Sequence, residues 1–168
     1  EPKKNIGRII ESFLTAKTDR KLVLVGAMAW KSENELRFLE TGIRSGRIIH
    51  LQYLPQTALL ALIQNAFAVL FPSLTEGFGL PVLEALFLGT AVITSREASL
   101  PEVGGDACLY VDAYRSEDIT SGIETLETDP GLRATLRGKA KAPAAKFSMA
   151  EYEKRLSKMY ASVMGRKL

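Results

Sequence analysis

The sequence predicts an α/β domain, a parallel sheet with helices on both faces, and three observations carry that reading. Five short apolar runs, KLVLVG, RIIHLQYL, FAVLFPS, TAVITS and ACLYV, are separated by segments of helical periodicity or high helix propensity. Several runs are almost continuously apolar, as strands buried on both faces are. The links between strand and helix are short, which suits repeated crossover units.

Taken in order, NIGRIIESFLTAK places Ile6, Ile9, Ile10, Phe13 and Leu14 on one helical face, with Asn5 as its N-cap. KLVLVG is the first strand. SENELRFLETGIRSG carries Ser32 and, three residues on, Glu35, a capping box, and its helix should end near Gly46. RIIHLQYL is the second strand, QTALLALIQNA a helix of high propensity, and FAVLFPS a third strand closed by Pro72. LPVLEALFLG is a helix, TAVITS the fourth strand, ASLPEVGG a short helical turn or loop, and ACLYV the fifth strand. SEDITSGIETLETD should be capped by Ser116, with Ile119, Ile123 and Leu126 facing inward. PGLRATLRGKAKAPAAKF begins at Pro130, a good first-turn residue, and the last helix begins at Ser148 with Glu151 at the box position.

The 168 residues suit one domain or one half of a two-domain protein. A hydrophobic share of 46% and a charged share of 24% are ordinary for a soluble core. One cysteine, Cys108, excludes an internal disulfide and asks for no oxidising compartment. No apolar run approaches the roughly 18 residues of a membrane span, and residues 1–20 are too polar for a signal peptide. The net charge of +3 is uneven. Between Arg133 and Lys167, cations such as Arg137, Lys139, Lys141, Lys146, Lys154, Arg155, Lys158 and Arg166 face only Glu151 and Glu153. This reads as a solvated helix face or as a surface that sits near anionic lipid. Aromatics are not interleaved as a stacking platform for nucleic acid requires, so nucleic acid is not expected as a partner.

The stretch TEGFGLPVLEA, Thr75 to Ala85, follows the third strand. Ligands in parallel sheets bind outside the carboxyl ends of the strands, so this stretch is placed to bind one. Gly77 and Gly79 permit unusual torsions and close approach, and Pro81 can open a helix. The N–H groups around Phe78, Gly79 and Leu80, with the helix dipole, then form an anion site without a Walker lysine. Glu76 lies before that helix and Glu84 within it, so the two acids flank whatever anion is held. Carboxylates only accept hydrogen bonds and sugar hydroxyls donate, so this suits a nucleotide sugar. Blander readings remain: a tight turn at the glycines, or Glu84 complementing the dipole. The segment is also a failed dinucleotide fingerprint, because Val82 stands where the third glycine should be. That disfavours an NAD-type oxidoreductase. A glycosidase carboxylate pair finds no other support.

FPSLTEGFGLPVLEALFLGTAVITS followed by SLPEVGGDACLYVD closely resembles the carboxy-terminal domain of retaining GT-B glycosyltransferases of the family-4 type, glycosyl transferases group 1. Their signature, a glutamate, seven residues and a second glutamate, falls on Glu76 and Glu84, and EPKKN at the start also fits. The resemblance implies a Rossmann-like sheet, one half of a GT-B fold, over residues 1–168. It implies that Lys4 meets the donor diphosphate and that the backbone at Gly77, Phe78, Gly79 and Leu80 binds phosphate and nearby sugar oxygens. Glu76 would hold the transferred sugar near the reacting face, in the catalytic position. Glu84 would accept from the ribose, and Tyr53 and Leu54 would touch the base through backbone. It further implies a preceding strand with a glycine–arginine pair and an amino-terminal acceptor domain, neither represented in these residues, and the usual tryptophan after FS is Met149.

No Asp-x-Asp pair or histidine cluster suggests a metal, and no cofactor beyond the donor is expected. His50 lies in a strand and reads as structural. Trp30, in VGAMAWKSENEL, resembles a loop of mannosyl-type members, or serves as a half-buried anchor. The expected donor is therefore GDP-mannose, with UDP-hexoses or a dTDP-deoxysugar as alternatives. The acceptor would be a glycan or lipid-linked sugar, reached in the cytoplasm with peripheral contact at the inner membrane face. A binding module without turnover is the competing reading.

Overall fold

The computed structural model describes residues 1–27 and 38–165. After a single 3-10 turn at Pro2–Lys4, the elements run α1 (Ile6–Thr15), β1 (Leu22–Val25), α2 (Leu39–Arg44), β2 (Ile48–Leu51), α3 (Gln56–Asn65), β3 (Val69–Phe71) and α4 (Leu80–Phe87). They continue with β4 (Val92–Ser95), α5 (Leu100–Gly104), β5 (Cys108–Val111), α6 (Ser116–Thr128), α7 (Pro130–Lys139), α8 (Lys141–Ala145) and α9 (Met149–Val163). Every strand pairing is parallel, as expected.

Among the described residues the strands form two ladders rather than one. β1 pairs with β2, placing Leu22 against Ile48, and β3, β4 and β5 form a second ladder with Val69 against Val92 and Val92 against Cys108. β1 and β3 present their free edges to an apolar cavity of about 740 Å³. Helices cover the three-stranded ladder on both faces, because alternate strand residues point to opposite sides. On one face Ile93 and Val111 pack with Ile9, Ile10 and Phe13 of α1 and Ile119, Ile123 and Leu126 of α6. On the other, Val92 packs with Val82 and Leu86 of α4 and with Leu100 and Val103 of α5. β4 is buried along its whole length, as its central place requires. Each fully buried Ile or Leu contributes about 1.5 to 3 kcal/mol of apolar transfer.

Several local expectations are corrected. Ser116 is the first residue of α6 rather than its cap, and its hydroxyl donates to Glu11, while the position before the helix is Arg115. Residues 130–147 form two short helices, α7 and α8, rather than one. Asp129 caps α7 by accepting from the Leu132 amide at 2.8 Å. Asn5 does precede α1, but its side chain does not cap it; with φ 59° it turns inward instead. Ser148 caps α9 as expected, accepting from the Glu151 amide, while the Glu151 carboxylate pairs with Lys154. The capping box at Ser32 and Glu35, the loop at Trp30 and Arg166 lie outside the described residues.

Candidate functional site

The site forms at the carboxyl end of β3. Asn5, 4% exposed, donates from Nδ2 to the Pro72 carbonyl at 2.9 Å and to the Ala113 carbonyl at 2.7 Å. It thereby fixes the start of the chain against the ends of β3 and β5. Arg8 donates to its Oδ1 at 3.0 Å, so the amide is fully engaged. The Leu74 amide donates to the Lys3 carbonyl at 2.8 Å, which adds a backbone tie.

These ties carry Lys4 to Glu76. The Nζ–Oε1 distance is 2.6 Å, and the side chains are 31% and 9% exposed, respectively. The ammonium also lies 4.9 Å from the centre of the Phe71 ring. A lysine has three donors, so two remain for an anion. Ser99 donates from Oγ to the Glu76 carbonyl at 3.2 Å, which steadies the loop that carries the acid.

Gly79 is the residue that needs to be glycine. Its φ is 94°, and a Cβ there would sit 2.8 Å from Leu100 Cδ2. Gly77 differs: its φ is unremarkable and open space surrounds it, so it clears room without answering a torsional demand. The amides of Phe78, Gly79 and Leu80 have no acceptor within the described residues, as the first turn of a helix leaves them. Phe78 is steadied by Phe147, with ring centroids 5.2 Å apart at 83°. Glu84 stands one turn into α4, half-buried, with no partner for its carboxylate among the described residues. Tyr53 and Leu54 lie in the loop after β2, also at the carboxyl end, and Tyr53 is 82% exposed.

The structure thus joins Lys4 to Glu76 directly and puts α4's open amides and Glu84 on the adjoining element. Among the described residues no hydrogen bond or ion pair joins Tyr53 or Leu54 to that group. The cavity between β1 and β3 reaches Glu1, Lys4 and Glu84 at its mouth but is walled by apolar strand and helix side chains, so it is not itself a sugar or phosphate pocket. The sequence singled out Asn5 only as a helix cap, and it did not single out Ser99 or Phe147, although Phe147 is the phenylalanine of the quoted FS. Among the described residues no group of three His, Cys, Asp or Glu side chains could hold a metal. His50 donates from Nε2 to the Gly26 carbonyl at 2.9 Å and ties β2 to the end of β1. Cys108 is buried in apolar surroundings, which push its thiol up to about 12.

Comparison with known proteins gives the same frame. Residues 1–142 match the family described as Glycosyl transferases group 1. The O-antigen chain mannosyltransferase B of Escherichia coli is 36% identical over 84% of this chain and 39% of its own length. The serotype-specific mannosyltransferase WbdA of Escherichia coli is 35% identical over 89% of this chain and 19% of its own. The chain therefore spans well under half of these relatives. Among solved structures, Anabaena Alr3699/HepE in complex with UDP superposes with a TM-score of 0.84 at 18% identity, covering 96% of this chain and 46% of that one. WaaG, a glycosyltransferase involved in lipopolysaccharide biosynthesis, superposes with a TM-score of 0.74 at 19% identity, over 94% and 43%.

Proposed function

Because the chain belongs to the glycosyl transferases group 1 family, we propose that it is the donor-binding half of a retaining glycosyltransferase and that its donor is a nucleotide-diphospho-sugar, GDP-mannose first. The observation that carries this reading is the meeting of Lys4, Glu76 and the open amides of α4 at one strand end. The diphosphate leaves with two negative charges. The two spare donors of Lys4, the amides at Phe78, Gly79 and Leu80, and the α4 dipole are preorganised to stabilise that charge as it develops. Glu76, held by Lys4 and Ser99, accepts from hydroxyls of the transferred sugar, and Glu84 accepts from the ribose. Tyr53 and Leu54 offer backbone to the base.

Mannose is supported by the relatives, whose names state mannosyl transfer and leave the nucleotide open. The acceptor, a glycan or lipid-linked sugar, would be oriented by an amino-terminal domain, for which those longer relatives leave room. In this reading the enzyme works on the cytoplasmic side. Peripheral membrane contact would come from α9, where Met149, Tyr152 and Met159 are exposed beside Lys154, Arg155 and Lys158.

Calorimetric titration with GDP, UDP and NAD tests the donor. GDP should bind, UDP more weakly, and NAD not at all. Binding of NAD alone would overturn the proposal. A radiolabelled-donor assay should show that residues 1–168 bind without transferring, since the acceptor half supplies the proximity term of about 7 to 11 kcal/mol.

A further inference from the structure

The loop between β3 and α4 is held through its carbonyls. Thr94 Oγ1 donates to the Phe71 carbonyl at 2.9 Å, Ser95 Oγ to that of Ser73 at 2.6 Å and Ser99 Oγ to that of Glu76 at 3.2 Å. With Asn5 on Pro72, four carbonyls on this path accept from side chains. Among the described residues none of the amides from Thr75 to Leu80 meets an acceptor. A backbone ladder engages amides and carbonyls together. Hydroxyls from β4 and the turn after it engage the carbonyls alone, so the loop is fixed while its amides stay open.

Ser99 is the member of this row nearest the acid. It occupies the N-cap position of α5, where a serine ordinarily accepts from an amide of its own helix. Its side chain makes no such bond and reaches the Glu76 carbonyl instead. The residue before it, Ala98, has φ 51°, a left-handed torsion uncommon for a side chain with a Cβ. Strain of this kind persists where the surroundings over-determine it, often at functional sites. The residue after it, Leu100, is fully buried and closes against Gly79. One turn, residues 98–100, therefore grips both ends of the Glu76–Gly79 segment.

We propose that Ser99 is a positioning residue for the transferred sugar. The inference rests on the donor-binding reading above. Lys4 holds the Glu76 carboxylate and Ser99 holds its carbonyl, so the acid has two fixed points and one orientation. Without the Ser99 hydroxyl, Glu76 can pivot about Lys4. The open amides at the start of α4 keep their place, because Gly79 and Leu100 still pack. The sugar should lose its alignment while the nucleotide keeps its site.

The test uses the full-length enzyme with Ser99→Ala, Ser99→Thr and, as a control, Thr120→Ala, which removes a hydroxyl-to-carbonyl bond between α6 and α1. Calorimetry with GDP and GDP-mannose, and with UDP and UDP-glucose, is read beside kcat and the melting temperature. For the pair that the parent binds, Ser99→Ala should weaken the nucleotide sugar at least fivefold and the nucleoside diphosphate less than twofold. Its kcat should fall at least tenfold, since small misplacements of a reacting group are costly. Ser99→Thr should restore both, and Thr120→Ala should move the melting temperature alone. Equal weakening of both ligands, an unchanged ratio with unchanged kcat, no rescue by threonine, or loss of the fold in Ser99→Ala would each overturn the positioning role and leave the donor reading standing. A parent that binds none of the four ligands would overturn the donor reading and this role with it.

Discussion

Replacing Asn5 should unhinge the site from the sheet. Its Nδ2 serves two carbonyls, Pro72 at 2.9 Å and Ala113 at 2.7 Å, in an environment that leaves it 4% exposed. Its φ of 59° lies in the left-handed region, which asparagine and glycine tolerate. Three variants separate the contributions. Asn5→Gly keeps the torsion and loses both carbonyl bonds, together with the one from Arg8. At about 1 kcal/mol per lost bond, and more if the carbonyls stay dry, the cost is about 2 to 3 kcal/mol. Asn5→Ala adds left-handed strain of about 1 to 2 kcal/mol. Asn5→Asp keeps the shape but turns an oxygen toward two carbonyl oxygens. Arg8, 3.0 Å from Oδ1, offsets part of that charge but cannot reach the repelling side. Its cost should exceed that of Asn5→Gly, at about 3 kcal/mol or more. In a domain of this size 1 kcal/mol moves the melting temperature by about 2 to 4 °C, so Asn5→Gly should melt about 4 to 12 °C lower. Thermal and urea unfolding with unchanged m-values is the assay. The aspartate's folded pKa should rise, so its deficit should shrink as pH falls through that value and persist above it. If Asn5→Gly costs under 0.5 kcal/mol, or Asn5→Asp melts with the parent, the two carbonyl bonds are not what anchors the chain start.

Glu84→Ala should weaken nucleoside diphosphate binding by about 1 to 3 kcal/mol with the fold retained, and an unchanged dissociation constant by calorimetry would remove the ribose role. Lys4→Met should lower diphosphate affinity about tenfold or more and flatten its salt dependence, and it should also lower the melting temperature, because it leaves the Glu76 carboxylate, 9% exposed, without its cation. EDTA should leave donor binding nearly unchanged, and a tenfold loss restored by magnesium would reveal a metal requirement. Cys108 should resist iodoacetamide at pH 8 until the protein unfolds. Its folded pKa of about 12 stands above the ordinary 9.0, so its contribution to stability is intact below pH 9 and lost as pH rises toward 12. Denaturation curves at pH 8 and pH 10.5 check the second half.

The local alphabet of the fold was legible. KLVLVG, TAVITS and ACLYV are runs whose composition allows little but buried strands, and α4 begins at Leu80 because a glycine and a proline bracket that point. The site's backbone was legible for the same reason, since a glycine at φ 94° ahead of a helix leaves amides open. Helix ends were less so. Ser116 reads as a cap from its neighbours along the chain, but Glu11, 105 positions away, takes its hydroxyl. A hydroxyl's partner is decided by which helix packs alongside, and α1 packs on α6.

By itself, then, the sequence determined the order and type of the elements, the acids at Glu76 and Glu84, and the open helix start between them. These depend on torsional preference and hydrophobic period, which act over a few residues. Only the tertiary structure decided that Lys4 and Glu76 meet at 2.6 Å, that Asn5 bolts the chain start to two strand ends, and that β1 and β3 stand apart around a slot. Those contacts join residues 67 to 108 positions apart, or edges that never touch, and no local preference encodes them: they follow from which apolar faces bury against one another once the whole chain has packed.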